Sequence, residues 1–212
     1  MPAPSPAPLK PRKQPVQARS AATLEAIFEA TIQVLLKHGH QRLTTTLVAE
    51  RAGVSVGTLY QYYPNKDALL AATIERHLLH IVENVEAACR QAVGQPLDTA
   101  TRLLCDAFVD AKMARPDVSL ALYGPSADLD GAAVVKAMTL RAATALIPVA
   151  ATLSDARIDN PPMTALFLLT ALVGPVQAAL EAGASPELVA ALRANLYALA
   201  SGYLRAVALP PH

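Results

Sequence analysis

Segments in which apolar residues recur at every third or fourth position, separated by Gly, Pro and capping residues, make up most of this chain. Such spacing places the apolar side chains on one face of a helix. In the first segment Ile27, Thr31 and Val34 follow this period, which predicts a helix over residues 18–38 that Gly39 ends. Hydrophobic residues reach 53% but aromatic residues only 4%, so the core must be aliphatic. We therefore predict an all-α protein.

Further helices are predicted wherever a cap or a breaker bounds such a segment. A hydroxyl from residues 44–46 can cap a short second helix that Gly53 ends. Ser55 can cap a third helix that ends near Tyr63, because a proline follows, and Asn65 can cap a fourth. This fourth helix is predicted at residues 66–91, and further helices are predicted at residues 97–115, 130–153, 162–182 and 186–207.

The charges are distributed unevenly although the net charge is only +1. Residues 1–66 carry eight Lys or Arg against three Glu, whereas residues 67–212 carry ten against fourteen Asp or Glu. A basic front joined to an acidic remainder predicts that the front meets an anionic partner. The predicted domains are a disordered, basic, Pro-rich tail at 1–17, a three-helix head at 18–65 and a helical body at 66–212.

Several classes of protein are disfavoured by what the sequence contains. Cys89 and Cys105 are too few for a disulfide framework, and the Pro-rich N-terminus is unlike a signal peptide, so we expect a cytoplasmic protein. His77 and His80 lie three residues apart without a convincing set of further ligands, and surface histidines explain them better. Because no catalytic motif is present, we predict no enzyme, no catalytic residue, no metal site and no cofactor.

The segment from Met163 to Leu180 carries no charge, which meets the length of a transmembrane helix. Pro175 and Gln177 interrupt it, and no Lys or Arg flanks it as a membrane anchor. A helix buried on all sides within a soluble protein has the same composition. We therefore predict no membrane partner.

The short second and third helices have the spacing of a helix-turn-helix. Ala49 is small where two steeply crossing helices approach, and Gly53 can adopt the positive φ of a tight turn. In this motif the helix after the turn enters the major groove of DNA. The predicted seam between the helices consists of Val48, Ala52, Val54 and Leu59.

Outside this seam the third helix presents an uncharged face, whereas a solvated helix usually carries Lys or Glu there. Gly57 permits a close backbone approach, and Gln61 can pair with the edge of adenine. The tyrosine hydroxyls, a lysine at the start of the fourth helix and the threonines before the turn can contact phosphates. The predicted DNA-binding residues are Thr45, Thr46, Val56, Gly57, Thr58, Tyr60, Gln61, Tyr62 and Lys66.

The stretch "TTTLVAERAGVSVGTLYQYYPNKDALL", residues 44–70, resembles the DNA-binding signature of the tetracycline-repressor (TetR) family. The whole resemblance extends over residues 18–70. The Ala-Gly-Val-Ser turn, Gly-Thr-Leu-Tyr and Pro-Asn-Lys all occur at the spacing that this signature has. The resemblance implies a homodimer that represses transcription from a palindromic DNA operator and releases it when a small molecule binds the C-terminal body. Leu47 stands where a polar or basic residue is common, and Thr46 stands where some members place Arg.

The last two helices carry apolar stripes that step by three or four residues. Two such helix pairs could form a four-helix dimer interface, and a core within one chain is the alternative. The predicted dimer-interface residues are Leu166, Val173, Leu180, Leu188, Leu192, Leu196, Leu199 and Tyr203.

The ligand is expected among the helices of residues 97–180, where an aliphatic cavity suits a lipophilic effector. Polar residues that could line this cavity, although each is better explained as a surface or structural residue, are Arg102, Asp106, Asp110, Tyr123, Arg141 and Gln177. A small-molecule binding protein with a vestigial DNA-binding head is the alternative function, and the uncharged recognition face keeps that alternative open.

Overall fold

The computed structural model describes residues 18–126 and 129–210, and the predicted tail at 1–17 lies outside them. Within the described part the chain is almost entirely helical. The helices are α1 (Ala18–Arg42), α2 (Thr45–Ala52), α3 (Val56–Tyr62), α4 (Lys66–Ala92), α5 (Leu97–Met113), α6 (Pro116–Ser126), α7 (Leu129–Ala151), α8 (Pro161–Glu181) and α9 (Pro186–Val207). Two short strands complete the fold, β1 (Arg157–Ile158) and β2 (Ala208–Leu209). The predicted all-α class is confirmed.

The chain forms two compact units, which we call the head and the body. The head runs to Arg76 and includes Ala121–Val135, and the body comprises His77–Leu120 and the chain from Lys136 onward. The border between the units falls inside α4, whereas the sequence places a domain boundary at the start of that helix.

Helix ends in the head follow from local side-chain chemistry. Gly39 has φ 75° and ψ 167°, which interrupts α1 near its end. The Thr44 hydroxyl accepts a hydrogen bond from Leu47 N at 3.2 Å and caps α2. The Asn65 amide oxygen accepts one from Ala68 N at 2.7 Å and caps the start of α4. Each cap satisfies a backbone N–H that has no partner within its helix.

Three elements, the helix α6 and the strands β1 and β2, were not predicted from the sequence. The helix α6 lies between the helices predicted at 97–115 and 130–153, where the Gly124-Pro125 pair is typical of a connection. That pair lies in the last turn, where a lost backbone hydrogen bond leaves the preceding turns intact. The strands β1 and β2 pair antiparallel, Arg157 with Leu209 and Ile158 with Ala208, and two residues are too few for a recognisable alternation.

The core of the body is formed around α9, which packs against α5 and α8. Its buried stripe steps by four residues through Leu192, Leu196, Ala200 and Leu204. On the surface beside it, Arg193 Nη1 and Nη2 contact the carboxylates of Asp106 at 2.8 Å and Asp110 at 2.6 Å. Such solvated ion pairs stabilise a fold by about 0–1 kcal/mol each, so aliphatic burial holds these helices together.

Two helical segments in the described part of the chain are long and apolar enough to cross a membrane, Gly131–Ala151 and Pro161–Glu181. Only 22% and 39% of their most apolar windows are buried. Core helices of soluble proteins pass the same test of length and composition, so the finding is weak evidence for a membrane. It does show that α7 and α8 carry apolar surface that the isolated chain leaves uncovered.

Candidate nucleic-acid interface and regulatory site

The turn between α2 and α3 has the geometry of a helix-turn-helix. Gly53 adopts the left-handed conformation, φ 67° and ψ 29°, which a residue with a side chain rarely takes. Its N–H and that of Val54 bond back to α2, with Val54 N donating to Ala49 O at 3.0 Å. The Ser55 hydroxyl then accepts from Thr58 N at 2.9 Å and starts α3. The turn is therefore closed by backbone and cap bonds alone.

The seam between α2 and α3 is formed chiefly by three residues. Val48 and Leu59 are fully buried and Ala49 is 1% exposed. Ala52 and Val54, which the sequence also places in the seam, are only half-buried because they lie at its ends. Tyr63 is buried beside the Phe28 ring, with 6.1 Å between the ring centroids, and burial raises the pKa of its phenol to about 12. Tyr63 is thus a core residue rather than a contact.

The predicted contact face of α3 is open to solvent. Gly57, Tyr60 and Gln61 are exposed, and Val56 and Thr58 are half-buried. A Cβ atom built on Gly57 would meet only the Ser55 hydroxyl at 3.8 Å, an ordinary contact. Its backbone is helical, so nothing in the described head requires glycine at this position. A glycine that the fold does not need is consistent with a partner that approaches the helix closely.

Two of the phenols expected on phosphates hold other parts of the head. The Tyr60 hydroxyl lies 3.1 Å from Thr45 Oγ1, and the Tyr62 hydroxyl lies 2.8 Å from Ser20 Oγ. Thr45 is buried, so its hydroxyl serves the bond to Tyr60. These bonds tie the recognition helix to α2 and to the start of α1. A phenolic oxygen can still accept a further hydrogen bond, but neither group is free to reorient without breaking one.

Lys66 and Thr46 remain at the edge of this face. Lys66 Nζ donates to His40 O at 2.9 Å, which places its charge beside the interrupted end of α1. Thr46 is exposed on α2. The described head thus brings the predicted DNA-binding residues onto and around α2 and α3, with Thr45 turned into the core.

The predicted dimer stripe divides between core and surface. Leu180, Leu192 and Leu196 are buried inside the chain, because α9 packs its face against α5 and α8 of the same body. These three are therefore not available to a partner, which corrects the expectation from the sequence. Leu166 and Leu199 are exposed. Val173, Leu188 and Tyr203 are half-buried.

An apolar cavity lies inside the body and is lined from α4, α5, α7, α8 and α9. Its volume is about 30 Å³, and an adjoining cavity of about 20 Å³ shares four of its lining residues. Burial raises the pKa of the Cys105 thiol in its wall to about 11, so this cysteine is an inert core residue. The residues that line the larger cavity are Val85, Thr101, Leu104, Cys105, Phe108, Leu146, Leu168, Leu169, Leu172 and Ala200.

None of the polar residues proposed from the sequence lines either cavity. Arg102 stacks on the Tyr197 ring at 4.4 Å, and Arg141 forms a bidentate ion pair with Glu86 at 2.7 and 2.8 Å. Gln177 Nε2 donates to the Glu181 carboxylate at 2.9 Å. Arg102 and Arg141 thus link neighbouring helices of the body, whereas Gln177 bonds within α8, so these three side chains have structural partners, as the sequence analysis expected.

The polar group that sequence reasoning missed lies at the end of α5. Lys112 is only 7% exposed, and its carbonyl accepts a hydrogen bond from the Ser119 hydroxyl at 2.9 Å. Ser119 Oγ lies 3.1 Å from His77 Nε2 on α4. Because the single hydroxyl proton is used on Lys112 O, His77 must donate from Nε2. The spacing of Thr101, Cys105, Phe108 and Lys112 on one face of α5 was the available signal.

His77 is half-buried, whereas the sequence suggested a surface histidine. Burial, together with the charges of Lys112, His80 and Arg115, lowers the pKa of His77 to about 4, and only Asp117 acts in the opposite direction. The imidazole is neutral at pH 7, and its surroundings are electrostatically positive.

Acid is expected to destabilise the body through His77. Its pKa is lower in the folded chain than its ordinary 6.5, so stability is lost as pH falls from 6.5 towards 4. Between pH 7 and 4.5 the loss should be about 2 kcal/mol, which urea denaturation at both pH values measures. The variant His77→Gln should lack this part of the pH dependence, and His80→Gln, altered at an exposed site, should keep it. Equal pH dependence in wild type and His77→Gln would contradict the assignment.

Comparison with known proteins agrees with this architecture. Residues 27–73 match the model of bacterial regulatory proteins of the tetR family, and residues 96–204 match the tetracyclin repressor-like C-terminal domain. The HTH-type transcriptional repressor KstR of Mycolicibacterium smegmatis is 39% identical over 62 residues, 29% of this chain and 30% of that protein. This chain thus matches about a third of the length of that curated relative.

Solved structures match over most of the chain. The fatty acid degradation regulator FadR from Bacillus halodurans has a TM-score of 0.71 at 18% identity, covering 91% of this chain and 98% of that one. The complex of SmeT, a repressor from Stenotrophomonas maltophilia, with triclosan has a TM-score of 0.66 at 20% identity, covering 90% and 96%. At such identities the likeness concerns the fold.

A helix-turn-helix formed by α2 and α3, followed by a largely helical body, defines a class of protein, the helix-turn-helix transcriptional regulators. One family model spans half of this chain and a second spans its helix-turn-helix. The chain belongs to the TetR family of bacterial regulatory proteins.

Proposed function

We propose that this protein is a cytoplasmic, ligand-responsive transcriptional repressor rather than an enzyme. Residues 18–65 bind a palindromic operator, and residues 66–212 bind a small molecule and form the homodimer. The observation that carries the DNA-binding role is the uncharged, exposed face of α3, with a glycine at position 57 that the fold itself does not require. Repression by KstR and the triclosan complex of SmeT support repression and ligand control here.

The homodimer accounts for exposed apolar surface on the body. Four large side chains on α8 and α9 are exposed, among them Phe167 at 58%. Clusters of this kind mark interaction surfaces in soluble proteins. A second copy of the same helices would cover them in a two-fold arrangement, and a palindromic operator needs a two-fold protein. We call this surface the α8–α9 patch, and it consists of Met163, Leu166, Phe167 and Leu199.

The function is tested by selecting bound sequences from random double-stranded DNA with the full-length protein. We expect a palindromic consensus with two half-sites in successive major grooves. Affinity for that consensus should fall steeply between 50 and 200 mM salt, as it does when phosphate contacts release counterions. Recovery of no enriched sequence would remove the proposal.

A substitution at Gly57 is expected to weaken DNA binding without destabilising the fold. The variant Gly57→Ala should be as stable as the wild type or more stable by up to about 1 kcal/mol, because alanine favours a helix and meets open space. Its affinity for the selected operator should fall about tenfold, because a methyl group obstructs the close approach. Fluorescence anisotropy with labelled operator and thermal denaturation give the two values.

Gly124→Ala is the matched control, since Gly124 is also helical with open surroundings, in α6. Its operator affinity should equal that of the wild type. If Gly57→Ala binds the operator as tightly as Gly124→Ala does, the proposal that DNA closely approaches the backbone at position 57 is wrong.

A small-molecule binding protein with a vestigial head is the second candidate. The bonds of Tyr60 to Thr45, Tyr62 to Ser20 and Lys66 to His40 favour it, because they occupy groups expected on phosphates. In that case the protein would bind ligands but enrich no DNA sequence at any salt concentration. The same selection experiment therefore decides between the two functions.

A further inference from the structure

The Tyr60 hydroxyl on the contact face of α3 pairs with a second hydroxyl, which α2 supplies. The Tyr60 hydroxyl oxygen lies 3.1 Å from Thr45 Oγ1. Tyr60 is 41% exposed, whereas Thr45 is only 9% exposed. Each hydroxyl has one proton to donate, and the bond between the two groups uses only one of these protons. The other proton remains available to a third group.

The burial of Thr45 decides which proton forms the bond. If Tyr60 donated to Thr45, the Thr45 proton would need an acceptor of its own inside the head. Among the residues that the structure describes, the Thr45 hydroxyl has no hydrogen-bond partner other than Tyr60. A buried donor without a partner is costly, because it has lost its bonds to water and gained none. Thr45 therefore donates to the Tyr60 oxygen.

This direction leaves the phenolic proton of Tyr60 unused on the exposed side of the pair. The bond from Thr45 holds the Tyr60 oxygen, so the phenol keeps its orientation without spending its own proton. A phosphate oxygen accepts hydrogen bonds, and tyrosine hydroxyls are among the groups that donate to it. The bond to Thr45 thus occupies the acceptor side of the phenol and leaves its donor to a phosphate.

We propose that Thr45 is a positioning residue for DNA binding, whose hydroxyl donates to Tyr60 and thereby presents the Tyr60 proton to a phosphate of the operator. The inference rests on the proposed function, and it adds a residue that acts at the DNA interface without touching DNA. This role differs from the direct contact predicted from the sequence, because Thr45 is buried.

The second hydroxyl pair of α3 has no imposed direction. The Tyr62 hydroxyl lies 2.8 Å from Ser20 Oγ, and both residues are half-buried. Water can reach either partner, so burial does not select the donor in this pair. The assignment of a positioning role therefore concerns Thr45 alone.

Operator titration of Thr45→Val tests the direction of the bond by the sign of the effect. Valine has the shape of threonine without its hydroxyl, so circular dichroism should show a folded head. We expect operator affinity to fall about fivefold, the effect of one neutral hydrogen bond, because the phenol is no longer held. If Tyr60 donated to Thr45, the same substitution would release the phenolic proton. Unchanged or tighter binding by Thr45→Val would therefore overturn the proposal.

A double-mutant cycle separates positioning from a general loss of structure. Tyr60→Phe should weaken operator binding about tenfold or more, because it removes a hydrogen bond to a charged phosphate. In that background Thr45→Val should weaken binding no further, since no phenolic proton is left to position. A purely structural role of Thr45 would weaken binding equally in both backgrounds, and that result would contradict the assignment.

Thr31→Val is the matched control for the loss of a threonine hydroxyl in the head. Thr31 is fully buried, and its hydroxyl donates to Ile27 O within α1 at 2.7 Å. Operator affinity of Thr31→Val should equal that of the wild type, and Thr45→Ser, which keeps the hydroxyl, should also bind normally. If Thr31→Val weakens binding as much as Thr45→Val does, the loss is not specific to the pair with Tyr60 and the inference fails.

Failure of this inference is distinguishable from failure of the proposed function. In the DNA-free protein the Thr45 hydroxyl proton should exchange slowly with water, and nuclear magnetic resonance detects it through its coupling to Hβ of Thr45. A slowly exchanging proton on Tyr60 instead would overturn the inference without any DNA. A protein that enriches no DNA sequence loses the repressor function, whereas one that enriches DNA and binds it unchanged as Thr45→Val loses only the role of Thr45.

Discussion

A Phe167→Asp variant is expected to be a monomer in solution and to bind the operator at least about a hundredfold more weakly than the wild type. Phe167 is 58% exposed, the highest value among the residues of the α8–α9 patch, so in a dimer formed there it would be buried against the second copy. An aspartate there places an unpaired charge in an apolar interface. Separated heads then bind half-sites independently and lose the effective concentration that one dimer provides. Sedimentation velocity and operator titration measure the two effects.

Asn84→Asp is the matched control, because it adds the same charge at an exposed position on α4, outside the patch. We expect it to remain dimeric and to bind the operator normally. Because Phe167 is exposed in the single chain, both variants should keep the helical content of the wild type. A Phe167→Asp protein that sediments as a dimer would place the interface elsewhere on the body.

Leu59→Ala is expected to lower the free energy of unfolding of the head by about 3 kcal/mol. Leu59 is the one completely buried residue that α3 contributes to its contact with α2, and truncation leaves a cavity there. Since head and body are separate compact units, the loss should appear as earlier melting of the head. Hydrogen exchange of the α2 and α3 amides during urea denaturation distinguishes unfolding of the head from unfolding of the body.

Val56→Ala serves as the comparison within the same helix. Val56 is half-buried on the contact face, so its truncation should cost about 1 kcal/mol or less while weakening DNA contacts. Leu59→Ala and Val56→Ala thus separate loss of the seam from loss of the contact face. If both variants destabilise the head equally, the division of α3 into seam and face is wrong.

Local chemistry made most of the fold predictable. The caps at Thr44, Ser55 and Asn65 and the breaker at Gly53 act within four residues of themselves, so the sequence contains all that determines them. The bounds of α9 were predicted without error for the same reason, since Ser185 caps it and its apolar period is regular. The helix α6 was missed because the Gly-Pro pair that usually breaks a helix lies in its last turn.

The sequence predicted which residues form the candidate DNA-binding face, but not the hydrogen bonds that their side chains make within the head. The spacing around Gly53 indicated which residues lie on the outer face of α3. It could not indicate that the Tyr60 and Tyr62 hydroxyls would bond to Thr45 and Ser20, because these partners are far apart in the chain. The apolar stripe on α9 likewise gave no sign of which members face α5 and α8 and which remain exposed.

The sequence by itself determined the helix-turn-helix, the family and the helical class, because periodicity, caps and turn glycines are local properties. Only the tertiary structure decided which apolar residues of α8 and α9 belong to the core, since that depends on which helices meet. It also brought His77, Lys112 and Ser119 together from three helices through the hydrogen bonds of the Ser119 hydroxyl. A lysine in a sequence is expected at the surface, and only the packing of neighbouring helices against α5 buries Lys112.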